Sequence, residues 1–326
     1  MGNLSKVTTL SLVAAFFLTS CGERNESLDQ AVEKSETIIK IDAINASLPE
    51  PINDVSSRGI LRNAFIVSRD IEYAGICGVA GYKIGGFLGG LFGTGVGAAP
   101  GAMIGAFVGG AIGAIGGSYD AYMDSESWDE HVLSPEDIME ACEELVEDSE
   151  SEDTFEEEDT FEEVEVPDSI ERIGYIHNLA MDALIKRESS VSVLSNDPPF
   201  LESNDQLEDR CVITFTQFEK DIITSDSFKN VYYQLDSSSE ESEDVSVQVP
   251  LLNQILYRYI EAMEKYRSPL DYKTVVSITN QYISVVRGST ELLEDEKTNL
   301  YIAFAVGVYS FKYWSNFESD TAIEEE

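Results

Sequence analysis

Positive charge is what this sequence most lacks. Its 326 residues hold 21 Lys and Arg against 61 Asp and Glu, a net charge of -40. A protein that grips phosphates needs a basic face, so nucleic acid is excluded as a partner. Between Lys83 and Arg172 stand 24 acids and no Lys or Arg. Such a run reads as solvated surface, with weak calcium binding or a basic partner as the functional alternative. Histidine is nearly absent too: only His131 and His177 occur. No His-Glu-x-x-His pair, Gly-x-Ser-x-Gly elbow or phosphate loop is present. The sequence therefore offers no catalytic residue, no metal site and no cofactor, and it does not read as an enzyme. His177 stands beside Asn178 on an apolar helix face and reads as a hydrogen-bonded core histidine.

Glycine is abundant and placed with regularity. Gly81, Gly85, Gly89, Gly93, Gly97, Gly101, Gly105, Gly109, Gly113 and Gly117 follow one another at four-residue intervals. Residues four apart share a helix face. Each glycine costs a helix about 1 kcal/mol against alanine, so the stripe needs a compensating use. It is a glycine zipper, which lets two helix backbones approach closely. A second small-residue stripe runs beside it through Gly86, Gly90, Thr94, Ala98, Ala102, Ala106, Gly110 and Ala114. Ala99-Pro100-Gly101 is the expected break between two antiparallel arms. Each arm is long enough to cross a hydrocarbon core. The opposite faces carry Phe87, Leu88, Leu91, Phe92, Ile104, Phe107, Val108, Ile112 and Ile115, suited to lipid. Tyr82, Tyr119 and Tyr122 are placed for the membrane surface, where Lys83 can snorkel. The other reading is a soluble hairpin buried beneath the later helices, which have apolar stripes of their own.

The first 20 residues read as a signal peptide. Lys6 gives a positive start, and the apolar run from Leu10 to Leu18 is too short to span a bilayer. It ends in Leu18-Thr19-Ser20-Cys21, which resembles the lipobox of bacterial lipoproteins. That resemblance implies a diacylglycerol on Cys21. Gly22, where inner-membrane retention uses Asp, points to the outer membrane. Cys77, Cys142 and Cys211 then remain, an odd number in an exported chain. Cys77 reads as a small packing residue, and Cys142 and Cys211 form a possible disulfide.

The expected fold is mainly α: a glycine-zipper helical hairpin, then a small helical bundle, with disordered acidic loops. The expected divisions are a lipidated tether over 21–55, the hairpin over 56–122 and an acidic segment over 123–166. A bundle over 167–318 and an acidic tail over 319–326 complete the chain. Ser134-Pro135-Glu136-Asp137 has the form of a helix start. Asp168 caps a further helix, and more are expected at about 206–223, 250–266, 269–287 and 292–316.

Lipobox and zipper together resemble the glycine-zipper two-helix lipoproteins of Gram-negative outer membranes, the group that contains the 17-kDa surface antigens. This covers residues 1–21 and about 75–118 and implies a role in envelope integrity. More of the chain resembles uncharacterised glycine-zipper proteins of Bacteroidales-type bacteria. The segments that carry this are Arg69-Asp70 through Tyr119-Asp120-Ala121-Tyr122, Ile173-Gly174-Tyr175-Ile176-His177-Asn178 with Met181-Asp182, and Val306 to Trp314. The expectation is a lipid-anchored envelope protein with a structural or interaction role. Its partners would be membrane lipid and further copies of itself, joined through the glycine faces. The alternative is a bacteriocin-like or pore-forming antibacterial protein.

Overall fold

The computed structural model describes residues 35–51, 58–91, 97–125, 133–144, 164–192, 215–237, 250–266 and 271–321. All lie in one unit, Ser35–Glu326, so hairpin and bundle share a single core. The fold is mainly α, and no strand occurs among the described residues. The helices in chain order are α1 (Glu36–Ala46), α2 (Arg58–Leu91), α3 (Ala98–Ser125), α4 (Pro135–Glu144) and α5 (Asp168–Ser192). Then follow α6 (Gln217–Ile223), α7 (Asp226–Ser237), α8 (Leu251–Met263), α9 (Tyr272–Gly288) and α10 (Glu294–Thr321).

Local chemistry sets several of these ends. Ser134 and Asp137 cap α4 reciprocally: Asp137 N–H donates to Ser134 Oγ at 3.1 Å, and Ser134 N–H to Asp137 Oδ2 at 3.0 Å. Thr216 and Glu219 do the same for α6. Glu294, Asp295 and Glu296 place negative charge on the first turn of α10.

The hairpin turn falls earlier than Ala99-Pro100-Gly101. Those residues belong to the first turn of α3, where proline's missing N–H has no intrahelical partner to lose. Gly97, with φ +77°, leads into that helix in a conformation that side chains rarely tolerate.

Helices α2 and α3 lie antiparallel along most of their length, and α10 runs beside both. Its register is clear from contacts. Asn299 stands against Gly78, Ile302 against Gly110 and Gly307 against Ile71. At the far end Asn63 Nδ2 donates to the Trp314 carbonyl at 2.6 Å. Helices α5, α7 and α8 complete the wall around this half of the hairpin. Burial then splits the arms. Val108, Ile112, Ile115 and Tyr119 are buried in the bundle, and Tyr122 stacks on Trp314 with ring centroids 5.5 Å apart. The expectation that these residues meet lipid or the membrane surface is therefore corrected. Phe87 and Leu91 remain 47% and 58% exposed at the other end.

Two helices escaped the sequence reading. Residues assigned to the tether form α1, docked on α8 and α9. The Thr37 N–H and hydroxyl donate to Glu291 Oε2 at 2.9 and 2.6 Å. Arg258 Nε donates to Asp42 Oδ1 at 2.7 Å. The other is α7, whose Phe228 and Tyr232 are fully buried. The acidic loops, the acidic tail beyond Thr321 and the expected signal peptide over 1–20 lie outside the described residues. Val164, at the end of the acidic segment, is buried, and Asn280 Oδ1 accepts the Glu165 N–H at 2.8 Å.

Candidate functional site

The glycine stripe is used inside one chain. A Cβ on Gly101 would stand 2.6 Å from the Gly85 carbonyl oxygen. One on Gly113 would stand 2.6 Å from both Cys77 Cβ and the Tyr73 carbonyl. Gly81 and Gly105 oppose each other's carbonyls, and Gly89 opposes that of Gly97. Each oxygen occupies the place of the missing side chain, so glycine Cα–H groups face carbonyls across the helix pair. Such contacts are worth about 0.5–1 kcal/mol each. Gly109 rests on the Cys77 carbonyl and Gly117 on Arg69 and Tyr73. Gly93 lies outside the described residues. The second stripe joins the same seam, with Gly86 against Ala102 and Gly90 against Ala98. The faces expected to join one copy to another are thus filled by the hairpin's own arms.

Where the bundle grips the hairpin, a buried polar cluster ties four helices together. Asp70 of α2, Ser118 of α3, His177 of α5 and Ser310 and Trp314 of α10 are all 0% exposed. Ser118 Oγ lies 2.7 Å from Asp70 Oδ2, and Ser310 Oγ also bonds that oxygen. Trp314 Nε1–H donates to Ser118 Oγ at 3.2 Å. His177 Nε2 lies 3.0 Å from Ser118 Oγ, and Nδ1 lies 2.9 Å from Asn178 Oδ1. Burial pushes the Asp70 carboxyl up to about 8 and the His177 imidazole down to about 4. Both are therefore neutral near pH 7, and the 3.5 Å approach of His177 Nε2 to Asp70 Oδ2 is no ion pair. Asp70 Oδ1 has no partner, which a neutral carboxyl bears at less cost than a carboxylate. In that state the Asp70 O–H donates to Ser118, Ser118 donates to His177 Nε2, and His177 Nδ1–H donates to Asn178.

Serine, histidine and aspartate in contact invite comparison with a hydrolytic triad. Here all three are sealed from solvent, so the cluster as it stands joins helices and admits no substrate. Sequence reading placed His177 in the core and missed Asp70, Ser118 and Ser310. One signal was available: an aspartate in the apolar stripe of Ile66, Val67 and Ile71. Another is that Arg69-Asp70, the Ile173 to Asn178 segment and the Val306 to Trp314 segment all converge here. Gly174 packs under the Tyr309 ring, and Asn178 Nδ2 donates to the Tyr309 carbonyl at 3.1 Å.

No protein-family model, curated protein or solved structure matches this chain. The resemblances named above rest on their own residues alone.

The remaining site residues divide. Cys21 and Cys211 lie outside the described residues. Cys77 and Cys142 are free, buried thiols, and burial pushes Cys142 up to about 12. No group of three metal-ligating side chains gathers among the described residues. Arg62–Leu91 and Ala98–Met123 are long and apolar enough to cross a membrane by length and composition.

Proposed function

We propose that this chain is a lipid-anchored protein of the bacterial cell envelope, probed into a membrane by one end of its glycine hairpin and serving a structural or interaction role. The observation that carries the reading is charge. No Asp, Glu, Lys or Arg occurs between Lys83 and Asp120, in a chain of net charge -40. Toward its C-terminal end α2 exposes Phe87 and Leu91. The lipobox ending in Cys21 supports the anchor, and Gly22 supports the outer membrane. The glycine seam serves the hairpin itself rather than contact between copies.

The pore-forming alternative needs both arms free to span a bilayer. Such freedom would break the Asp70 cluster, which bonds the base of both arms to α5 and α10, and would expose its polar groups to hydrocarbon at several kcal/mol each.

The anchor is tested by Cys21→Ala. Metabolic labelling with a fatty acid should mark the wild type and leave the variant unlabelled, with its precursor uncleaved. Equal labelling of both would end the proposal.

A further inference from the structure

The hydrogen atoms of the buried cluster run in one direction, set by a backbone carbonyl. The Tyr309 carbonyl of α10 accepts from Asn178 Nδ2 at 3.1 Å, so the Asn178 amide turns its oxygen to His177. That oxygen lies 2.9 Å from His177 Nδ1, which must therefore carry the ring hydrogen. Nε2 of the neutral ring is then an acceptor, and Ser118 Oγ, 3.0 Å away, donates to it. A hydroxyl has one hydrogen to give. With that hydrogen on His177, Ser118 Oγ can only accept, from Trp314 Nε1–H at 3.2 Å and from Asp70 at 2.7 Å. Asp70 must be a donor, and its proton completes the chain from α2 to α5.

Loss of that proton affects the helices unequally. An ionised Asp70 takes the Ser118 and Ser310 hydroxyls as donors, and each bond gains strength from the charge. Helices α2, α3 and α10 stay joined. His177 does not gain. Ser118 then has no hydrogen for Nε2, and moving the ring hydrogen to Nε2 sets Nδ1 against the Asn178 oxygen. Whichever nitrogen keeps the hydrogen, one buried polar contact on α5 is lost. The cations of α2 are engaged elsewhere: Arg62 lies over the Tyr122 ring, and Arg69 lies over Phe65 and Tyr73 and beside Glu72. Lys312 of α10 lies over Tyr272. The other ionisable groups around this stretch are Asp120 of α3, Tyr232 of α7, and Tyr259 and Glu264 of α8. Burial pushes both phenols well up, and Glu264 accepts from Ser68 Oγ at 3.3 Å. Between α5 and α10, the Tyr309 and Tyr313 hydroxyls donate to Glu171 and Asp182 at 2.9 and 2.8 Å. Burial, and then the facing carboxylates, push these phenols well up too, so the two links keep their protons where Asp70 loses its own.

We propose that the Asp70 proton is a latch for α5: with it the buried cluster ties α5 to the hairpin, and without it Ser118 turns to the carboxylate and α5 loosens while α2, α3 and α10 stay joined. The proton leaves to a hydroxide or buffer base of the solvent during a transient opening of the sealed cluster. Burial raises the Asp70 carboxyl to about 8, so the latch opens as pH rises through that value.

Hydrogen exchange of the full chain, read by mass spectrometry, tests this at about pH 6.5 and about pH 9, on either side of the Asp70 titration. Protection is expressed relative to the intrinsic exchange rate at each pH. On going to the higher pH, residues 170–185 of α5 should lose about tenfold more protection than α2, α3 and α10, the loss of one buried hydrogen bond. In Asp70→Asn, whose amide donates as the acid does, α5 should lose no more than they do. An equal loss in all four helices of the wild type overturns the inference, as does an α5-specific loss that persists in the variant. The wild-type comparison decides alone where the variant does not fold. The direction of the chain is read separately from 15N-labelled histidine in a His131→Gln background, which leaves His177 as the one signal. At the lower pH a hydrogen is expected on Nδ1 alone. A hydrogen on Nε2 overturns the inference, since Ser118 would then be free to donate to an ionised Asp70.

Discussion

Asp70 is the residue whose environment departs furthest from its chemistry. Its carboxyl titrates near 8 in the folded chain and near about 3.9 when unfolded. The folded state therefore binds the Asp70 proton more tightly. The cost of ionising it inside is absent below about pH 4 and complete above about pH 8, so stability is lost as pH rises through that window. Asp70→Asn removes this titration while keeping a side chain whose amide N–H can donate to Ser118. Thermal melts from pH 4 to 8 should show the variant gaining on the wild type as pH rises. Parallel curves would mean that Asp70 is not held neutral by burial. His177 acts in the opposite sense. Its depressed value near 4 makes the folded state weaker below about pH 6.5, as the unfolded imidazole takes up a proton.

At the scale of elements, the α2–α3 seam works by backbone contact. Its tolerance should differ sharply between neighbouring glycines. A Cβ on Gly105 would collide with the Gly81 carbonyl, and its carbon too lies only 2.7 Å away. Backbone on both sides cannot give way as a flexible side chain would. Gly105→Ala should therefore cost about 1–3 kcal/mol by overpacking. A Cβ on Gly90 meets only Ala98 Cβ at 3.6 Å, an ordinary contact. Gly90→Ala should be neutral or gain up to about 1 kcal/mol from helix propensity. Urea unfolding of the two variants separates these outcomes. Equal midpoints would show that the arms are not in close contact. Because the seam lies within the chain, Gly105→Ala should lower the stability of the monomer itself, whatever its effect on assembly.

For the whole molecule the dominant quantity is the imbalance of 61 acids over 21 Lys and Arg. Ion pairs such as Lys220–Glu143 and Arg258–Asp42 use part of the scarce positive charge to join elements. The remaining acids repel one another across the surface, which opposes compactness. Raising salt from about 0.01 to about 0.15 M shortens the screening length from about 30 to about 8 Å. The melting temperature should therefore rise with sodium chloride over this range. A fall would show that the few ion pairs outweigh the general repulsion.

Much of the architecture could be read directly from residue spacing. The four-residue glycine period implied a close antiparallel pair, and the caps at Ser134 and Asp168 lay next to real helices. The helices from α8 to α10 also fell near their expected ranges: α8 and α9 carry an amphipathic stripe set by local periodicity, whereas α10 is buried on nearly every side from Ile302 to Val308. Helix α1 was hidden because its stripe is short, and its stability comes from Glu291 and Arg258, more than 200 residues away in sequence. The polar cluster was hidden for the same reason: Asp70, Ser118, His177 and Ser310 come from four separate helices. By itself the sequence determined that two glycine-faced helices would pair, since no other partner surface is so flat at so regular a spacing. It could not determine which stretches of their outer faces meet protein. An isoleucine at 112 and a leucine at 91 are equally apolar to any sequence scale. Only the tertiary structure decided that the first is buried and the second left bare, because burial depends on which distant helices arrive and how far they reach.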